Sequence, residues 1–252
     1  MSSIRLFDNG THRNIFLEDY SEGHAVQANQ HLIVDGNQGI ILDPGGHKIY
    51  AKVMAETMSQ LGTGAKLTHI FLSHQDPDIV AAVNGWLMTT DATAWASNLW
   101  LRFIPHFGLD RLVTERLKGI ADGGMRLPLG NTTLLILPGH FLHSPGNFQV
   151  YDPVSRILYS GDLGASVGCS YRQVADFDAH LQFMEGFHKR YMCSNRAMKA
   201  WAAMVRTLDI DAIAPQHGAV FQGKEQVTRF INWCDGLACG VDLLDGPYKV
   251  PA

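Results

Sequence analysis

Leu67-Thr68-His69-Ile70-Phe71-Leu72-Ser73-His74-Gln75-Asp76-Pro77-Asp78-Ile79 passes without a break from an apolar run into a polar one. Residues 67–72 have the length and content of a buried strand. Behind them His74, Asp76 and Asp78 stand at alternate positions, and alternate residues of an extended segment face the same side. Pro77 disfavours the α region for Asp76 and keeps the segment extended. It also suits the first turn of a helix, and residues 78–89 resume helical spacing through Ile79, Val83, Trp86 and Leu87. The spacing aims His74 and Asp76 at one cation and Asp78 at its neighbour.

Three other places share this plan, a histidine or aspartate just after an apolar strand: His143 after residues 134–137, Asp162 after Leu158-Tyr159, and His217 after Ile213-Ala214. Strand ends gather such groups at one rim of a sheet, on loops that a rigid scaffold holds. Three imidazoles and three carboxylates meeting there suit a binuclear cation site, with one aspartate bridging ions about 3.5–4 Å apart. His140, three residues before His143, is a rival ligand; His143 is preferred because it directly precedes Ser144-Pro145-Gly146.

Further strands are expected at residues 15–17, 31–34, 39–42 and 92–95, with a turn at Asp35-Gly36-Asn37. Helices are expected over 47–61, over 172–207 with an interruption near 193–195, and over roughly 223–236. The alternation falls into two halves, each led by strands. Two sheets packed face to face with helices outside, an αββα four-layer sandwich, satisfy it. No linker or repeat divides the 252 residues, so one domain over 1–252 is the economical reading.

The bulk numbers narrow the function. A hydrophobic fraction of 46% allows a large core, and a net charge of −4 without a basic stripe excludes the usual nucleic-acid footprint. No apolar run approaches the ~20 residues of a membrane span, and the N-terminus shows no signal peptide, which makes the cytoplasm the expected location. Cys169, Cys193, Cys234 and Cys239 form no CxxC pair, so free thiols are expected rather than a zinc knuckle.

The order His-x-acid-x-Asp, His-Ser-Pro-Gly, Ser-Gly-Asp and Pro-x-His-Gly, with Asp43-Pro44-Gly45 as an early turn, resembles the metallo-β-lactamase superfamily over most of the chain. Its hydrolases read His-x-His-x-Asp-His in the first motif. Here Asp76 replaces the second histidine and Ile79 the last. A carboxylate at that place is similar to the flavodiiron proteins, and the variant with Ile79 looks like their stand-alone oxygen-binding relatives. The extra carboxylate makes the site harder, favouring iron or manganese over zinc.

The resemblance implies two iron ions, one on His74, Asp76 and His143, the other on Asp78 and His217, with Asp162 bridging. It implies dioxygen (or nitric oxide) as ligand, a homodimer, and a separate signalling partner or electron donor. Flavodiiron proteins carry a flavodoxin domain with FMN; this chain, ending at Ala252, is expected to hold no FMN. The function so implied is oxygen sensing or carrying, with slow reduction at most. Two alternatives remain: a dioxygen or nitric oxide reductase fed by a separate flavoprotein or rubredoxin, and a zinc-dependent hydrolase. His24 and Tyr159 are candidate outer-sphere groups. Asp43 is expected to bond loop amides beneath the site. Trp95, Trp100, Phe103, Phe107 and Phe141 are candidate walls of the pocket.

Overall fold

The computed structural model describes residues 3–21 and 26–251. A seven-stranded sheet comprises β1 (Ile4–Asp8), β2 (His12–Phe16), β3 (His31–Asp35), β4 (Gln38–Leu42), β5 (Lys66–Phe71), β6 (Thr93–Ser97) and β7 (Leu117–Ile120), in sequence order. It is antiparallel up to β4 and parallel from β4 to β7. A six-stranded sheet is built from β8 (Met125–Leu129), β9 (Thr132–Pro138), β10 (Phe148–Asp152), β11 (Ile157–Gly161), β12 (Ala212–Pro215) and β13 (Phe221–Gln222), ordered β13-β12-β11-β10-β9-β8. Only β11 and β12 run parallel in it.

The two sheets pack face to face over a core that includes Phe16, Ile33, Phe71, Phe148, Val150 and Tyr159. On the outside of the first sheet lie α1 (Tyr50–Leu61), α2 (Pro77–Val80) and α3 (Val83–Thr89), around Leu32, Ile70, Ile79 and Trp86. On the outside of the second lie α4 (Phe177–Tyr191), α5 (Asn195–Val205) and α6 (Lys224–Gly236), around Leu158, Met184, Trp201 and Phe230. This is the αββα four-layer sandwich expected from the strand–helix alternation. Among the described residues, no helix is long and apolar enough to cross a membrane.

Local chemistry accounts for the boundaries. The hairpin β3–β4 turns on Gly36-Asn37, with Gly36 at φ 56°. Asp176 caps α4 by accepting from the amides of Asp178 and Ala179, and Ser194 caps α5 through the amide of Ala197, which is why the long helical region is two helices. The helix expected over 78–89 is likewise two short ones, parted at Ala81-Ala82. The aromatic stretch after Asn98 forms 3-10 turns at Ile104–Phe107 and Thr114–Arg116.

The sheet directions decide where chemistry collects. β5, β11 and β12 end at the same edge of the sandwich, and β10 begins there after the 139–147 loop. The edge is tied across the sheets: the Phe148 amide donates to the Ser73 carbonyl, and Asn29 Nδ2 donates to the Pro215 carbonyl.

Candidate metal centre

Every one of the six expected donors reaches this edge. His74, Asp76, His143 and Asp162 offer ligand atoms that all lie within 4.8 Å of one another. Nε2 of His143 is 3.1 Å from Asp162 Oδ2 and 3.4 Å from Asp76 Oδ2; Nε2 of His74 is 3.5 Å from Asp76 Oδ2 and 3.8 Å from Asp162 Oδ1. Asp78 and His217 stand beside this set. Nε2 of His217 is 3.5 Å from Asp78 Oδ2 and 3.5 Å from Asp162 Oδ1. Asp162 therefore turns one oxygen to His143 and the other to His74 and His217.

Burial and charge show what the cluster lacks. His74 is 2% exposed and Asp162 4%, yet His74 Nε2 and Asp162 Oδ1 have no hydrogen-bond partner. Buried polar atoms are almost always paired, and an unpaired one calls for a reason. Most of the N···O separations are too long for hydrogen bonds. Donors about 2.1 Å from a shared cation lie about 3 Å apart at right angles and about 3.4 Å apart at tetrahedral angles, and the measured separations fit that range better.

The charges agree. Burial opposes the charged form of His143, but Asp162 and Asp76 outweigh it and raise its pKa to about 10; Asp162 and its neighbours do the same for His217, to about 9. Asp162, despite burial, is held far below the usual carboxylate range by His74, His143 and His217, and Asp76 well below it by His143 and His74. The carboxylates favour the charged form of His74, His143 and His217, and a cation bound here would take the place of those protons. The donor set fits a pair of hard or borderline cations.

Outer contacts aim the ligands. Ser73 Oγ lies 3.0 Å from His74 Nδ1, and the Gln27 carbonyl lies 2.6 Å from His217 Nδ1, which leaves each Nε2 pointing at the cluster. The Ser73 amide donates to Asp43 Oδ1 at 2.8 Å, as expected of a carboxylate beneath the site, and burial pushes the Asp43 carboxyl up to about 6. Ile79 is fully buried among the helix-side core residues.

Other expectations are corrected. His140 turns away: its Nε2 meets the Asp122 carbonyl at 2.9 Å and its ring meets Phe148. The hydroxyl of Tyr159 accepts from Asn14 Nδ2, which also donates to Asp152, so its contacts lie deep between the sheets rather than beside the ligands. His24 falls outside the described residues. The rings against His143 are Phe187 and Tyr191 of α4, not the aromatics expected to wall the pocket. Trp95 instead donates to His69, and Phe103 and Phe141 are 44% and 49% exposed. Gln75 and Gln216 also escaped the sequence reading. Each is a neighbour in sequence of a ligand, and each donates to an aspartate of the cluster.

A family model described as ODP family beta lactamase matches residues 26–218. The chain belongs to this family. A structure described as the peroxy diiron species of the chemotaxis sensor ODP shares 42% identity, covering 96% of this chain and 98% of its own, with a TM-score of 0.86. The apo state of the chemotaxis sensor ODP from T. denticola shares 40% identity, covers 96% and 97%, and also has a TM-score of 0.86. The flavodiiron protein from Giardia intestinalis, 17% identical over 88% of this chain and 56% of that one, has a TM-score of 0.72 and shares the fold. In sequence, the chain is 25% identical over 237 residues to diflavin flavoprotein A 1 of Synechocystis, of which it spans 37%.

Proposed function

We propose that this chain holds two iron ions on His74, Asp76, Asp78, His143, Asp162 and His217 and binds dioxygen there, as an oxygen sensor or carrier. The observation that carries the reading is the convergence of these side chains on buried, hydrogen-bond-orphaned atoms, in a member of a family whose 42%-identical relative is a peroxy diiron sensor. His74, Asp76 and His143 would hold one ion and Asp78 and His217 the other, with Asp162 between them.

When bound, a ferrous pair supplies electrons and open coordination positions to a diatomic ligand. The protein's own part is electrostatic and steric. Asp76, Asp78 and Asp162 offset the positive charge of the pair. Ser73 and the Gln27 carbonyl fix the ring orientation of His74 and His217. Phe187 and Tyr191 cover one side of His143 with apolar surface. Ile79, buried in the core, offers no donor beside Asp78. Residues 1–252 act in this reading as one metal-binding domain, as a homodimer in the cytoplasm, with a separate protein receiving the signal.

Anaerobic reconstitution with ferrous iron followed by admission of oxygen tests the reading. A visible charge-transfer band that persists after oxygen is added supports it; two bound irons and a featureless spectrum sink it. A reductase fed by a separate electron donor is the second reading, favoured by the likeness to diflavin flavoprotein A 1. Steady oxygen consumption on adding a reductant and a flavoprotein would select it.

A further inference from the structure

Asp76 and Asp78 are the most open of the expected ligands, with side-chain exposures of 34% and 39% against 1% for His74 and 5% for Asp162. A carboxylate so open keeps a fixed direction only where something holds it. One glutamine holds each. Gln75 Nε2 donates to Asp76 Oδ1 at 2.9 Å, and Gln75 Oε1 accepts from Ser144 Oγ at 2.6 Å. Gln216 Nε2 donates to Asp78 Oδ2 at 3.1 Å, but Gln216 Oε1, on a residue only 2% exposed, has no partner.

We propose that Gln75 and Gln216 are positioning residues of unequal grip, and that this inequality makes the two halves of the centre fill in order, the His74/Asp76/His143 half first. The inference rests on the two-metal reading above. Gln75 occupies Asp76 Oδ1, which leaves Oδ2 aimed at His143 and His74, 3.4 and 3.5 Å away. Its bond to Ser144 ties the loop carrying Asp76 to the loop carrying His143, so the two donors are fixed relative to each other. Gln216 instead occupies Asp78 Oδ2, the oxygen that also faces His217 at 3.5 Å. An ion that takes the oxygen facing His217 must share it with the amide or displace the amide. The first half presents its three donors, with the shared Asp162, within 4.8 Å of one another before any ion arrives. A site already in its bound geometry binds more tightly than one that must rearrange.

The test titrates metal-free protein with cobalt(II) without air, reading heat and the visible spectrum together. The wild-type protein is expected to bind two ions in resolved steps at least about tenfold apart. Gln75→Leu is expected to weaken the first step about 10–100-fold, the usual effect of losing an outer hydrogen-bond partner, and to merge the two. Gln216→Leu should leave the first step unchanged and confine any change to the second. Melting temperatures of the metal-free variants should stay at the wild-type value, which separates positioning from a general structural role. If Gln75→Leu does not fold, Ser144→Ala removes the anchor alone and should weaken the first step several-fold. Two unresolved steps in the wild type, or equal weakening of both steps by either variant, overturns the ordering while leaving the two-metal reading intact. Uptake of one ion or none by the wild type defeats the reading itself.

Discussion

The sandwich carries a histidine–carboxylate cluster at each end, built from the same residue types, and the two differ in how their ionisable atoms are partnered. At the far end His12 stands between the sheets. Its Nδ1 is 3.0 Å from Asp35 Oδ1 and its Nε2 2.7 Å from Asp152 Oδ2. Asp152 also accepts from Asn14, Ser155 and the Val154 amide, and Asp35 accepts from the Asn131 amide. Burial opposes the charge on His12, but Asp152 and Asp35 outweigh it and raise its pKa. At the metal edge, His74 Nε2 and Asp162 Oδ1 go without hydrogen bonds. Composition does not distinguish a metal site from a structural ion cluster here. Saturation of the ionisable atoms does: at the far end both nitrogens of His12 and the oxygens of Asp35 and Asp152 have protein partners, although the Asn14 Oδ1 beside them has none, whereas the other edge leaves an imidazole nitrogen and a carboxylate oxygen for the cations proposed above.

The largest effect expected from this contrast is at the far end. His12→Ala leaves Asp35 and Asp152, 4% and 0% exposed, without their shared partner. Removing one member of a buried ionic pair costs about 3–5 kcal/mol. In a chain of this length that lowers the melting temperature by on the order of 10 °C. Cobalt uptake should still reach two ions. Asp162→Asn should do the reverse, dropping uptake to one ion or none with a much smaller change in the metal-free melting temperature. The contrast breaks if both variants lose metal and stability together.

The sequence shows one of these ends far better than the other. The metal edge is legible because each ligand follows an apolar strand within a few residues, and because His74, Asp76 and Asp78 alternate on an extended segment. The far cluster has no local signature: His12 meets a carboxylate 140 positions away, and only the pairing of two sheets brings them together. Tyr159 misled for a geometric reason. It lies three residues before Asp162, and at about 3.3 Å per residue a strand sets it about 10 Å below the edge. Gln75 and Gln216 were silent because a neutral carboxamide next to a ligand looks the same whether it bonds the site or water. Among strands, β8 was hidden by the charge and proline in Met125–Leu129. The sharp break after β5 and the interruption near 193–195 were plain in the residues themselves, whereas the cap Asp176 was not, and α4 starts five residues later than expected.

Acid sharpens the same comparison. Burial pushes the pKa of His188 down to about 4. It is 0% exposed and its neutral ring is fully used, with the Gly164 amide donating to Nε2 and Nδ1 facing the Met184 carbonyl. The unfolded chain takes up a proton near pH 6.5 and the folded chain does not, so its contribution is complete above pH 6.5 and is lost as pH falls toward 4. At about 1.4 kcal/mol per pKa unit the loss is on the order of 3 kcal/mol. His12 has the opposite sign: its raised pKa stabilises the fold below pH 6.5 and that stabilisation fades as pH rises through the folded value. Urea melts of the metal-free protein between pH 4 and 7 should show a shallower acid decline in His188→Gln than in the wild type. An unchanged slope would remove His188 from the account.

The smallest effect concerns how His143 is oriented. His12 is fixed by hydrogen bonds at both ring nitrogens and meets one ring, Phe7 at 6.0 Å, whereas His143 is flanked by two rings of one helix: Tyr191 at 5.8 Å and Phe187 at 6.4 Å between centroids. These two stack on each other at 4.8 Å with planes 21° apart. Tyr191 is 56% exposed, so its removal uncovers little core. An aromatic pair of this kind contributes about 0.5–1.5 kcal/mol beyond area burial. Tyr191→Ala should therefore lower global stability by about 1 kcal/mol, while freeing Phe187 and the His143 ring to take other rotamers. The first cobalt step should weaken several-fold, and Tyr191→Phe, which keeps the stack and loses only the hydroxyl, should restore it. If Tyr191→Phe weakens binding as much as Tyr191→Ala, the hydroxyl rather than the ring orients the ligand. The orientation of His143 would then rest on hydrogen bonds, as that of His12 chiefly does.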